Sequence, residues 1–326
     1  MPRVFVTREL PGDALDRLRE VADVQVWPLK TPPSPAELMK GAEGAIGLAT
    51  MLPDRIDAAV LDTAPSVRIV SNLAVGYDNI DVAAATARGV VVTNTPGVLF
   101  EAVADLTFAL LLSAGRRIVE GDRIVRAGEW PAWRPDFLLG KEMHGSTLGL
   151  VGFGAIGEAV ARRARGFGMK ILYVSRTRKP AAEQELGIEN VSLEDLLRRS
   201  DFVSIHVALT LETRGMIGAA QLALMKPDAL IVNTARGPII DQAALVEALQ
   251  NGRLGGAALD VFENEPISTS DALLSLPNVV VAPHIGSATL ATRSRMANLV
   301  VDNLVAYLHG ERPPTALNPE AWSPPQ

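Results

Sequence analysis

Short apolar, β-branched runs alternate along the chain with stretches in which apolar residues recur at helical spacing. The first five runs fall at residues 4–7, 24–27, 45–48, 68–71 and 90–93, and this alternation predicts βα units wound around a parallel sheet. The tetrapeptide Asn94-Thr95-Pro96-Gly97 then breaks the pattern. A helical segment from about Glu101 to Ala127 follows and reads as a crossover into a second domain. Six further strands are predicted at residues 147–151, 170–174, 202–207, 229–233, 255–259 and 279–282, enough for a doubly wound dinucleotide fold. A final helix, residues 288–308, comes too late to belong obviously to that second sheet and is expected to return to the first domain. From Pro313 to the terminal WSPPQ, the proline content predicts an extended or frayed segment. The fold class expected is α/β, with two Rossmann-like or flavodoxin-like doubly wound parallel-sheet domains.

Length supports this division, because 326 residues exceed what one hydrophobic core usually serves. Hydrophobic residues make up 48% of the chain and charged residues 21%, far from the composition of a disordered polymer. A net charge of −6 without a long basic run argues against a nucleic-acid partner and against an anionic-membrane anchor. The apolar segment 106–114 is about half the roughly 20 residues needed to span a bilayer. The opening MPRVFVTREL enters a strand at once and lacks the regions of a secretory signal, so a cytoplasmic location is expected. The absence of cysteine excludes disulfides, thiolate metal sites and cysteine nucleophiles, and no metal is expected.

Candidate chemistry begins with GFGAIG, which follows the strand at 147–151 and precedes a helical stretch whose Val160, Ala164 and Phe167 form an apolar stripe. That context is the one the GxGxxG pattern needs. Gly152 permits the tight turn, Gly154 lets backbone approach a pyrophosphate, and Gly157 allows the helix to pack closely on the strand. The helix N-terminus then offers N–H groups and partial positive charge to phosphate. A glycine turn in an ordinary α/β domain gives the same hexapeptide, and it is the flanking strand and helix that favour a cofactor. At the end of the next strand, where an NAD site places an acid for the ribose hydroxyl, the sequence reads Ser175-Arg176-Thr177-Arg178. The acid is missing, and the two arginines suit a 2′-phosphate. NADP(H) is therefore favoured over NAD(H), although loop arginines that are merely solvated give the same pattern.

Hydride transfer to a carbonyl needs a group to hold the substrate's acid, one to polarise the C=O and one to supply a proton. Arg236, Glu265 and His284 each follow a predicted strand of the second domain, at the carboxyl ends where doubly wound sheets build their sites. A histidine exchanges protons near neutral pH, a carboxylate beside it would orient its ring, and Arg236 offers a planar fork for an α-carboxylate. Taken singly, Arg236 also fits a strand cap, Glu265 a turn residue in ENEP, and His284 a packing histidine.

The ordered series NLAVGYDNID (72–81), VVVTNTPGVL (90–99), ADLTFALLL (104–112), LGLVGFGAIG (148–157), SDFVSIHVALT (200–210), MKPDALIVNTARGPIID (225–241), GAALDVFENEP (256–266) and NVVVAPHIGSAT (278–289) resembles the D-isomer-specific 2-hydroxyacid dehydrogenases, most closely their glyoxylate/hydroxypyruvate reductase branch. The resemblance implies that Arg236, Glu265 and His284 are the catalytic triad, and that the backbone at Val75 and Gly76, with Arg236, binds the substrate carboxylate. It also implies that Gly152, Phe153, Gly154, Ala155, Ile156, Gly157, Ser175, Arg176, Thr177, Arg178, Thr234, Ala235, Asp260 and Gly286 line the cofactor. Residues 1–98 with 288–326 would form a substrate-binding domain and 99–287 the dinucleotide-binding domain. The active site would lie in the cleft between them, with hinges near residues 94–97 and Gly286. The implied substrate is a small 2-ketoacid or 2-hydroxyacid, and the implied assembly is a homodimer built on the cofactor domain and the long helix.

Several positions narrow the branch. Val75 stands where phosphite dehydrogenases carry lysine, Glu265 where formate dehydrogenases carry glutamine, and no regulatory extension is expected beyond Gln326. Ala208 replaces the proline usual after the histidine and valine, a change expected to be tolerated. The expected activity is NAD(P)H-dependent reduction of glyoxylate or hydroxypyruvate to glycolate or D-glycerate, with His284 as proton donor. The alternatives are a D-lactate-type or broad 2-ketoacid reductase and, in a different class, an NAD(H)-sensing corepressor-like scaffold.

Overall fold

A computed structural model describes residues 1–323, and residues 324–326 of the WSPPQ tail lie outside the described residues. The chain divides into two compact units, one comprising Met1–Leu99 together with the chain from Ala288 onward, the other Phe100–Ser287.

In the first unit β1 (Arg3–Val6), β2 (Asp23–Val26), β3 (Gly47–Thr50), β4 (Ile69–Asn72) and β5 (Val91–Thr93) pair in parallel in the order β2-β1-β3-β4-β5. Central strands of a parallel sheet are covered on both faces and read as continuous apolar runs, and β3 and β4 are buried at every position. Val4 and Val6 face one layer and Phe5 the other. The helix Leu290–Leu308 lies on the Val4 side through Ala297, Val300, Val301 and Leu304.

The segment from Pro313 is ordered as far as it is described, which corrects the expectation of a frayed tail. Ala316 bridges Thr93, and the buried Asn318 side chain accepts the Val92 N–H at 2.7 Å while donating to Val90 O at 2.9 Å and Thr86 Oγ1 at 2.8 Å. One amide thereby satisfies backbone groups at the edge strand that would otherwise be orphaned.

In the second unit β6 (Thr147–Val151), β7 (Lys170–Val174), β8 (Glu189–Asn190), β9 (Phe202–Ile205), β10 (Leu230–Asn233), β11 (Gly256–Leu259) and β12 (Val279–Val281) form a parallel sheet in the order β12-β11-β10-β9-β6-β7-β8. This is one strand more than the sequence predicts. β8 has only two residues, both polar and exposed, and is held by pairing with Leu172 and Tyr173 of β7. The order reverses between β6 and β9, which marks a topological switch point.

The predicted crossover helix is in fact two helices, Phe100–Gly115 and Ile118–Arg126, because Arg117 adopts a left-handed φ of 53°. The first is buried along Val103, Ala104, Phe108 and Leu111. The second buries none of its residues. Among the described residues no helix is long and apolar enough to cross a membrane.

Candidate active site

The glycine loop leaves β6 at the switch point, and two of its three glycines are required by contact. Gly152 has φ 98°, and a Cβ there would fall 2.6 Å from the carbonyl of His206, at the end of β9. A Cβ on Gly157 would fall 2.6 Å from the Gly152 carbonyl oxygen, so the helix Ala155–Gly166 sits directly on the turn. Gly154 is different, since a Cβ there meets nothing within 4 Å. It is exposed and forms the N-cap of that helix, with no side chain capping the first turn. Open space in front of uncapped N–H groups is what a pyrophosphate needs, so the chain fits a dinucleotide. Val160 and Ala164 of the helix are buried, and Phe167 stacks on Phe108 with ring centroids 5.2 Å apart.

The loop after β7 carries Ser175, Arg176, Thr177 and Arg178. The two arginines are not equivalent. Arg178 forks onto Glu183, with Nε 2.9 Å from Oε1 and Nη2 2.7 Å from Oε2. Hydrogen bonds from Arg178 and the Tyr173 hydroxyl hold the Glu183 carboxyl down at about 2. Arg176 is exposed, and its charge helps Thr210 to keep the Glu212 carboxyl below its usual range.

At the ends of β10, β11 and β12 stand Arg236, Glu265 and His284. The buried Asn233 fixes the Arg236 loop, its Oδ1 accepting the Ala235 N–H at 3.0 Å and its Nδ2 donating to the Arg236 carbonyl at 2.8 Å. The Arg236 guanidinium donates from Nη1 to the Ala235 carbonyl at 2.9 Å. Gly237 lies so close to the Phe262 backbone that no Cβ could fit, which brings this loop against the one that carries Glu265.

Nδ1 of His284 is 2.7 Å from Glu265 Oε2, and Oε1 accepts the Phe262 N–H at 3.0 Å. Burial pushes the Glu265 carboxyl up. The hydrogen bond and charge of His284, the Phe262 N–H and the charge of Arg236 outweigh that and hold it below the usual carboxylate range. His284 has φ 53°, a left-handed conformation that its N–H bond to the Asp260 carbonyl, 2.9 Å, helps fix.

Asp260 is buried, and its two oxygens accept the Ile285 and Gly286 N–H groups at 2.7 and 2.8 Å. Burial raises its pKa, against the pull of those bonds and of His284. Thr107 donates to the Val103 carbonyl at 2.8 Å, so the 3.0 Å contact between its Oγ1 and that of Thr234 is donated by Thr234. The Thr234 oxygen thereby keeps its acceptor capacity.

In the first unit Val75 and Gly76 follow β4. Their carbonyls are tied back by buried amides: Asn94 Nδ2 donates to Val75 O at 2.8 Å and Asn72 Nδ2 to Gly76 O at 3.2 Å. Asn79 secures Asn72 in turn while donating to the Met51 and Asp54 carbonyls at 3.1 and 2.9 Å. Among the described residues the Val75 and Gly76 N–H groups make no hydrogen bond within the protein, and a peptide pair with its carbonyls anchored presents those donors outward. Sequence reasoning missed Asn72, Asn94, Asn233 and Gly237. They act through buried contacts, and the signal was, for the three asparagines, a polar residue at the end of an apolar strand, whereas Gly237 carried none.

A glycine-loop dinucleotide cradle sharing one sheet edge with a carboxylate-anchored histidine defines an NAD(P)-dependent oxidoreductase. The chain belongs to the D-isomer-specific 2-hydroxyacid dehydrogenase family. Residues 108–286 match the family described as D-isomer specific 2-hydroxyacid dehydrogenase, NAD binding domain. The chain is 54% identical to a glyoxylate reductase of Korarchaeum cryptofilum, over 98% of this chain and 96% of that one. It is also 54% identical to a glyoxylate reductase of Thermococcus kodakarensis, over 98% and 97%. A solved NADPH-dependent glyoxylate/hydroxypyruvate reductase from Sinorhizobium meliloti, in complex with NADP and malonate, superposes with a TM-score of 0.86. That protein is 36% identical, with 100% of this chain and 99% of that one covered.

Proposed function

We propose that the protein reduces glyoxylate and hydroxypyruvate to glycolate and D-glycerate, with NADPH preferred over NADH. The observation that carries this reading is the 2.7 Å His284–Glu265 pair on the sheet edge that also holds the glycine loop. The names of the relatives support the substrate. When bound, a reduced nicotinamide supplies the hydride. The outward N–H groups of Val75 and Gly76 bind the substrate carboxylate, and Arg236 adds a fork for the same group and polarises the adjacent carbonyl. His284 gives a proton from Nε2 to the developing alkoxide, while Glu265 holds Nδ1 and fixes the ring. Thr234, Ala235, Asp260 and Gly286 belong to the nicotinamide side, and Ser175, Arg176 and Thr177 to the adenosine 2′-phosphate. Turnover of NADPH with glyoxylate, hydroxypyruvate and pyruvate, repeated on His284→Ala, tests the assignment. The expected loss of kcat in the variant is about 10²- to 10⁴-fold. Absence of turnover with every small 2-ketoacid would refute the reading.

The 2′-phosphate assignment is read from KM for NADPH and NADH in the parent and in Arg176→Ala. The variant is expected to lose the preference, and a parent that favours NADH tenfold would overturn it.

We further propose a homodimer. The helix Ile118–Arg126 buries nothing, and Ile118, Val125, Trp130 and Trp133 are all more than half exposed, the kind of apolar surface a second copy of the chain covers. Sedimentation equilibrium at micromolar concentration should return twice the chain mass, and Val125→Glu should return the monomer. A monomeric parent refutes the assembly.

A further inference from the structure

The loop that meets the adenosine end of the cofactor is braced from inside the fold. Tyr173 is fully buried, and its ring lies 4.7 Å from that of Phe153, centroid to centroid, in the glycine loop. Its hydroxyl donates to Glu183 Oε1 at 2.6 Å and accepts the Lys179 N–H at 2.8 Å. Glu183, in the helix Pro180–Leu186, then grips Arg178 through two guanidinium nitrogens. At the other end of the loop the Val174 carbonyl accepts the Gly152 N–H at 2.9 Å. Ser175, Arg176 and Thr177 therefore span a short distance between two anchored ends.

We propose that Tyr173 and Glu183 are positioning residues for recognition of the 2′-phosphate. They hold the loop in the shape in which Ser175, Arg176 and Thr177 engage that group, and Arg178 serves as the tether of the loop. This deepens the NADPH reading and rests on it.

Three features of the cluster support the assignment. The carboxylate of Glu183 stays ionised at every working pH, being held at about 2, so the Arg178 tether does not loosen in neutral buffer. A bidentate arginine–carboxylate fork fixes angle as well as distance. A loop already ordered before binding loses less entropy when a phosphate arrives.

The test compares the parent, Glu183→Gln, Tyr173→Phe and Arg176→Ala, by calorimetric binding of 2′,5′-ADP and ADP-ribose and by KM for NADPH and NADH. Tyr173→Phe keeps the ring on Phe153 and so separates the hydroxyl from packing. Glu183→Gln and Tyr173→Phe are expected to weaken NADPH and 2′,5′-ADP about tenfold while NADH, ADP-ribose and kcat at saturation stay within about twofold. Equal weakening for both cofactors would show a general structural role and overturn the proposal. So would unchanged binding, and so would tighter NADPH binding, which would make Glu183 a competitor of the phosphate for Arg178. A parent that fails to discriminate between the cofactors sinks the NADPH reading, and this proposal with it. A discriminating parent matched by both variants sinks this proposal alone.

Discussion

Nδ1 of His284 stands 2.7 Å from Oε2 of Glu265, and the other oxygen of that carboxylate is already committed to the Phe262 N–H at 3.0 Å. The carboxylate cannot turn without losing one of the two bonds, so the ring it holds is fixed as well. With Nδ1 turned to Glu265, Nε2 is the ring nitrogen that the proposed proton transfer would use. The left-handed backbone of His284 and its N–H bond to the Asp260 carbonyl place the ring from the other side. His284 and the carboxylate that holds it thus come from the loops after two neighbouring strands, β12 and β11.

From that relationship, Glu265→Gln should lose the charge and, with one acceptor oxygen where the carboxylate has two, one of the bonds to His284 and Phe262 as well. Its kcat for ketoacid reduction is expected to fall about 10- to 100-fold, with binding of NADPH within about twofold of the parent. Steady-state kinetics beside cofactor fluorescence titration would check this. A parental kcat would show that the charge of Glu265 is not needed at His284.

Gly157→Ala tests the helix-on-turn contact. The added carbon would lie 2.6 Å from the Gly152 carbonyl oxygen, a backbone atom that cannot swing aside. Overpacking of this kind costs about 1–3 kcal/mol, and the turn facing the pyrophosphate must shift. NADPH affinity is expected to drop at least about tenfold, with a lower thermal midpoint. Gly154→Ala is the control, because its Cβ meets no protein atom within 4 Å. It should preserve the thermal midpoint and weaken cofactor binding alone.

Asn94→Ala removes the amide that ties back the Val75 carbonyl at 2.8 Å. A polar group left without its partner costs about 1–3 kcal/mol, and the peptide becomes free to rotate its N–H away. KM for glyoxylate should rise about tenfold while KM for NADPH stays parental. A variant whose two KM values rise together would show that Asn94 supports the fold at large rather than the Val75–Gly76 peptide proposed to hold the carboxylate.

Much of this architecture is legible in the sequence, and the exceptions share a cause. β6 and β7 fall at residues 147–151 and 170–174 as the apolar runs predict, since strands buried on both faces need little context. β8 is invisible because Glu189 and Asn190 carry no apolar signal, and their strand exists only through its neighbour. The break at Arg117 is invisible because arginine is a good helix former, and nothing local announces a left-handed φ. Asn318 lies in a proline-rich stretch with no local structural signal, and its amide finds its partners in β5, in the residue before it and in Thr86. The site divides in the same way. Gly152, Glu265 and His284 stand in recognisable positions at strand ends, whereas Asn94 and Glu183 act through side-chain bonds to Val75 and Tyr173, 19 and 10 residues away in sequence, which spacing alone does not reveal.

The acid stability of the second unit should depend on His206. Its Nε2 is 2.7 Å from Ser204 Oγ, its backbone is pressed against Gly152, and burial pushes its pKa from 6.5 down to about 3. The unfolded chain therefore takes up a proton near pH 6.5 that the folded chain refuses until about pH 3. Where the unfolded state binds more protons, stability rises with pH. The neutral imidazole consequently costs nothing above pH 6.5, and stability declines as pH falls from there towards 3. His206→Asn removes this titration while keeping a polar side chain within reach of Ser204. Urea midpoints measured from pH 7 to 4.5 should fall more steeply for the parent than for the variant, with similar m-values. Parallel slopes would mean that the imidazole is protonated within the fold, and that the packing beside the glycine loop is loose enough to let water in.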